Sequence, residues 1–390
     1  MKKESRYAAF TLACLLAASA PLQAWAAPTD SPEFARSAEE WARLEDNKLE
    51  YEEIADLIHE YNVTVLNNRT SYRDYLGKDK SDITNRYRDA ADELRNGIEY
   101  PDDPTDPSYA TMMMAAQMNE TQAQALEKQA DNNVDDPQSI HLQYEMVEAN
   151  LVLSTKLNLI SYQQRLLTDA LNLENKKILE SQYQSAQVKA GVGAATQMDV
   201  LNARQAVEQL ESTIISDAKE TQTLKQKVCL AAGWSYDANP EFGALPVCDP
   251  ALIDGIQLET DIAAAAENNY TLRINQRKYE NSTDTATKET LEKTIQENRQ
   301  KIASDMRLKY QTLLEARASY ELAVAEQTVE NQTLAATTLK YQTGAASRME
   351  YEQGVYSLAA KNTAAENAKL SLLSAWENYQ AAVAGLASAS

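Results

Sequence analysis

Little in this chain is placed to do covalent or acid–base chemistry. Its two histidines, His59 and His141, fall in unrelated segments, and of its three cysteines only Cys229 and Cys248 lie beyond the N-terminal region. The paired acids Asp102-Asp103 and Asp135-Asp136 abut prolines and read as solvated turns. With no cluster of His, Cys and Asp at ligand spacing, neither a zinc site nor a histidine-based triad can be assembled, and there is no glycine-rich phosphate loop. No catalytic residue, cofactor or metal site is expected. One spacing does recur. Gly193, Thr196 and Asp199 in "GAATQMD" are matched by Gly344, Ser347 and Glu350 in "GAASRME", 151 residues on, giving G-x-x-[ST]-x-x-[DE] twice. The chemistry of this pattern is that of backbone hydrogen bonds. Glycine tolerates the positive φ of a tight helix C-terminus. The hydroxyl can N-cap a returning helix, and the acid at its third position completes a capping box and suits the positive helix end. One copy reads as a well-made interhelical turn, and the second copy repeats it in a matching context.

Such turns need long helices on both sides. The chain has only ten glycines and ten prolines in 390 residues, and neither type occurs between Pro137 and Gly191. Asp136 supplies an N-cap and Pro137 a first helical residue, so the spacing predicts a helix of roughly fifty residues, about 80 Å long at 1.5 Å per residue. Met146, Leu153, Ile160 and Leu167 recur every seven residues, interleaved with Leu157, Leu171 and Ile178. After the glycines, Val200, Val207, Ile214 and Val228 hold one heptad position, with Thr221 as the polar exception. Ala203, Leu210, Leu224 and Ala231 hold the other, interrupted by Asp217. Sustained heptads with small residues predict two rods packed as an antiparallel hairpin.

The second half repeats the plan. The same offset carries the first seam onto Tyr351, Leu358, Ala365, Leu372 and Tyr379, and the hairpins end alike, at "LAAG" and "VAG". Upstream, residues 49–68 resemble residues 256–275, with Asn62 over Asn269; both read as caps or turn residues. From Asn62 to Gly193 is 131 residues, but from Asn269 to Gly344 only 75. The extra stretch lacks period-two alternation and is broken by Pro101, Pro104 and Pro107, so it is not read as strand. Its Met112-Met113-Met114 run reads as packing rather than as a binding surface. The expected fold is all-α: a tandem repeat of long antiparallel helical hairpins with little or no β-strand. Residues 27–232 form the first repeat (tip 190–197), 233–255 an irregular linker, and 256–390 the second repeat (tip 343–349).

Residues 1–26 have the layout of a secretory signal peptide: a basic start, a short apolar run and a small-x-small cleavage signal before Ala27. Export permits a disulfide between Cys229 and Cys248, the alternative being two unpaired thiols. Removing residues 1–26, which carry three basic residues and one acid, takes the net charge from −21 to −23. Such acidity argues against nucleic acid as a partner. No later run has the eighteen or so apolar residues of a transmembrane helix.

Two tandem repeats, duplicated tips in matched heptad register, a signal peptide and an irregular link together resemble the TolC-type outer-membrane efflux protein family. The resemblance implies a homotrimer whose hairpins close a hollow α-barrel. It implies docking of the tips, Gly193, Thr196, Asp199, Gly344, Ser347 and Glu350, on a periplasmic adaptor joined to an inner-membrane pump. It further implies an entrance constriction at Glu350, with Gln353 at the next position that is acidic in the family. The implied function is a passive conduit in the cell envelope, at the outer membrane by resemblance. One departure is expected: the second repeat, without Gly or Pro from 256 to 343, has no room for membrane-spanning strands. The alternative function is an exported structural coiled-coil protein of the envelope without transport activity.

Overall fold

A computed structural model of the chain describes residues 36–101 and 103–389. The expected signal peptide lies outside the described residues. Along the chain run α1 (Ala38–Leu44), β1 (Lys48–Leu49), α2 (Ile54–Tyr61), α3 (Val63–Arg73), α4 (Lys80–Asn96), α5 (Tyr109–Asp131), α6 (Pro137–Gly191) and α7 (Gln197–Ala231). There follow β2 (Glu241–Phe242), α8 (Pro250–Asp254), α9 (Leu258–Asn268), α10 (Tyr270–Asn281), α11 (Thr285–Gln342) and α12 (Arg348–Ala381).

The long helices begin where the sequence supplies caps. Asp136 accepts a hydrogen bond from the Ser139 backbone at 2.8 Å with Pro137 in the first turn, and α6 then runs 55 residues. Asp284 accepts from the Thr287 backbone at 2.7 Å, and α11 runs 58. Helix α6 pairs with α7 and α11 with α12, while α6 and α12 pack against each other between them. The central pairing is antiparallel: Lys156 meets Glu377 (2.9 Å), and Gln164 donates to the Asn367 carbonyl (3.1 Å). The four rods therefore lie in the order α7, α6, α12, α11.

Burial along the seams deepens away from the tips. Val200, Val207 and Ile214 are half-buried, whereas Thr221 and Val228 are buried; on α12, Tyr351 and Leu358 are half-buried while Ala365, Leu372 and Tyr379 are buried. The polar interruptions are paired across the hairpin, Thr221 donating to Asp169 (2.9 Å) and Asp217 taking Arg165 (3.3 Å) and Asn172 (3.0 Å). At the far end the rods join the short helices in one core, where Leu159, Ile160, Ile302, Met306 and Leu313 pack with Ile54, Leu57, Ile58 and Leu272.

Asn62 and Asn269 cap α3 and α10, as expected of them. Each also clasps the end of its own hairpin. Asn62 donates to the Ala231 carbonyl (2.9 Å), and Asn269 donates to the carbonyls of Gly385 (3.1 Å) and Ala387 (2.7 Å). Strand is limited, among the described residues, to the two-residue parallel pair Lys48↔Glu241 and Leu49↔Phe242, which ties the linker to the first entry segment. No helix among the described residues is long and apolar enough to cross a membrane.

The extra length of the first half is helical. Helices α4 and α5 form a second hairpin, whereas α10 passes to α11 through residues 282–284 alone. The seam of α5 is alanine: Ala116, Ala123 and Ala130, seven residues apart, are buried. Arg95 of α4 reaches Glu120 (3.2 Å) and Glu127. The reading of the methionine run as packing is corrected in part: Met112 is half-buried, whereas Met113 and Met114 are exposed and the buried seam is alanine. Of the two cysteine alternatives the structure carries the unpaired one, both thiols being free and buried. Cys248 faces the main core, while the Cys229 sulfur lies 3.9 Å from the Ala238 carbonyl within the linker.

Candidate docking tips

Each long hairpin turns through the same set of hydrogen bonds. At the first tip the Ala194 N–H donates to the Lys189 carbonyl (2.7 Å) and the Gly193 N–H to the Ala190 carbonyl (3.1 Å). At the second, Ala345 donates to Lys340 (2.7 Å) and Gly344 to Tyr341 (3.1 Å). These are the paired bonds of a Schellman closure, which satisfies the orphan carbonyls of a helix end and requires a left-handed residue. Gly193 and Gly344 supply it, with φ of 75° and 77°. A Cβ on either glycine would meet nothing within 4 Å, so the requirement is conformational rather than one of space.

The returning helices start from capping boxes. Thr196 accepts from the Asp199 backbone (3.2 Å) while the Asp199 carboxylate accepts from the Thr196 backbone (2.8 Å). Ser347 and Glu350 repeat this at 3.2 and 2.6 Å. The Thr196 backbone N–H, and then its hydroxyl, hold the Asp199 carboxyl below the usual carboxylate range; Ser347 does the same for Glu350, with Lys340 adding its charge. All four residues are exposed. The acids are therefore anionic, fixed in direction and open to solvent, beside exposed Val192, Met198 and Met349. That combination suits recognition by another surface, with no nucleophile or base poised for reaction.

Both tips stand at one end of the molecule. A groove of about 520 Å³ beside the second tip is lined by Met349, Glu350 and Gln353 together with Lys340 and with Gln182 of α6. Glu350 and Gln353 thus share a wall, one turn apart. Stacking of Tyr341 on Tyr351 (4.9 Å between centroids, 10° between planes) braces the second tip, a contact for which the tip motif carries no signal.

No family model matches the chain, and no curated protein matches it. Solved structures do. The fold is similar to that of the Campylobacter jejuni CmeC outer membrane channel, with a TM-score of 0.52 at 9% identity, over 93% of this chain and 90% of that one. It is also similar to CusC, a protein described through its folding and transmembrane channel formation, with a TM-score of 0.51 at 12% identity, over 86% and 92% of the two chains. At such identities the likeness is one of fold, and it is the TolC-like helical fold that the duplicated tips pointed to.

Proposed function

We propose that this chain is the conduit component of an export assembly in the cell envelope: three copies close into a hollow helical barrel that passes solutes without transforming them. The observation that carries this reading is the state of the two outer rods. Helices α7 and α11 flank the central pair, and each presents apolar residues in one heptad register, interrupted by Glu208 and Glu315, that the single chain leaves exposed. They are Leu201 and Ile215 on α7, and Leu308, Leu322 and Val329 on α11. Rods with exposed apolar residues on two different edges suit a head-to-tail contact, α7 of one copy against α11 of the next, and such contacts form rings when the rotation closes. The similar fold of CmeC, whose description is an outer membrane channel, supports the same reading.

In this reading the tips, with Gly193, Thr196 and Asp199 on one and Gly344, Ser347 and Glu350 on the other, dock on a periplasmic adaptor that is joined to an inner-membrane pump. Glu350 and Gln353 narrow the entrance. The near-absence of strand among the described residues favours a barrel that is helical throughout, located in the envelope without a strand barrel of its own. Gly193→Val combined with Gly344→Val tests docking, because each strains the left-handed residue while leaving the rods intact. Co-purification of the adaptor should fall at unchanged helicity by circular dichroism; undiminished co-purification would remove the tips from the docking surface.

A further inference from the structure

The chain's two histidines, 82 positions apart, open into one cavity of about 940 Å³. It lies between the central rods α6 and α12, with Tyr270 of α10, His59 of α2 and the turn after α12 completing its walls. Much of its lining is apolar: Val152, Leu153 and Ala149 on one side, Ala381, Ala384 and Leu386 on the other. Its charged groups are Glu145, Glu148 and Glu377 against the single ammonium of Lys156. Each is held in place. His59 Nδ1 is 2.8 Å from Glu148 Oε1, His141 Nε2 is 3.2 Å from Glu145 Oε1, and Lys156 Nζ is 2.9 Å from Glu377 Oε2. Side-chain exposure falls from 42% at Glu145 to 30% at Glu148 and 17% at Glu377, so the acids run from the mouth inward.

We propose that this cavity binds a bulky organic cation, one positive charge on a largely apolar body. Three carboxylates face the cavity against one ammonium, an excess of acidic over fixed cationic groups that favours a cation and disfavours an anion. The apolar walls take up the body of such a ligand, and the Tyr270 ring adds a π face. Among the described residues no three acid or histidine groups converge as a metal site, whereas carboxylates spread over two walls suit a charge distributed over a larger molecule. The cavity sits on the central rods rather than on the α7 and α11 edges, so its occupancy is measurable whether or not rings form. Binding and ring closure can thus fail separately.

Isothermal titration calorimetry of the full mature chain with tetraphenylphosphonium, and with tetraphenylborate as the anion of the same shape, tests the assignment. The cation should bind saturably at one per chain, at least tenfold tighter than the anion. Glu148→Gln and Glu377→Gln should each weaken it about tenfold, equivalent to about 1.4 kcal/mol. Glu145→Gln, at the open mouth where folding is not at risk, should weaken it less, and Glu174→Gln, exposed on α6 outside the cavity, not at all. Equal affinity for cation and anion, absence of saturable cation binding, or affinities unmoved by all three cavity substitutions would each overturn the site.

Discussion

Asn269 serves two ends of the chain with one side chain. Its carbonyl oxygen accepts from the Leu272 backbone (2.9 Å) to cap α10, while its amide nitrogen donates to two carbonyls beyond α12. The residue is buried, so Asn269→Ala should remove a cap worth about 1 kcal/mol and strand buried carbonyls at a further 1–3 kcal/mol. Urea denaturation reads this directly; a loss below about 0.5 kcal/mol would refute the clasp. The glycines offer an internal comparison. Gly233 has φ of 81°, and a Cβ there would lie 2.4 Å from the Tyr61 Cβ, whereas Gly193 shares the backbone requirement with open space around it. Gly193→Ala should therefore cost about 1–2 kcal/mol from conformation alone, and Gly233→Ala clearly more because Tyr61 must move. Equal losses would show that the close approach does not matter. Acidity probes the caps. Burial raises the Asp136 carboxyl, but the Ser139 backbone, Asn281 and Arg277 outweigh it and leave the group low; Asp199 and Glu350 are low for the reasons given above. A carboxyl held lower in the folded state stabilises above its ordinary range, near pH 4, and loses that contribution as pH falls through the folded value. The urea midpoint should be flat from about pH 7 to 5 and decline below about 4, less steeply in the Thr196→Ala, Ser347→Ala double variant.

Among the elements, the edges of the four-rod layer are where the proposed contact between copies would form. Ile215 is 72% exposed and Leu322 61%, each on a rod whose opposite face already packs on its hairpin partner. Ile215→Glu or Leu322→Glu would place a charge in the proposed contact between copies without touching the core. Sedimentation should show the assembly dissociating to single chains at unchanged helicity, and persistence of the wild-type species in both variants would exclude these faces from the interface. The elements also show what the sequence discloses. Helix α6 was legible at both ends, because Asp136-Pro137 and Gly191 are local signals acting through nearby backbone groups. The duplicated tips and the Asn62 and Asn269 caps were legible for the same reason. The α4–α5 hairpin was not recognised, because an alanine seam has weak apolar contrast and the neighbouring methionines dominate the pattern. Nor could the shared cavity of His59 and His141 be read, since it exists only where four elements meet. The pairing of Cys229, near the end of α7, with Cys248 in the linker was undecided for a like reason: how the two face depends on how the linker folds.

At the scale of the molecule, a layer of four rods with tips at one end and a packed core at the other is, in the proposed reading, one stave of a ring. Polar rods with apolar edges can close around water, whereas an elongated two-chain coil would bury those edges against each other and leave no lumen. The two outcomes differ in shape. Electron microscopy of the purified mature protein distinguishes them in projection: the conduit account predicts hollow cylinders of threefold symmetry, with walls one helix layer thick and all tips at one end. Solid rods or twofold dimers would contradict it.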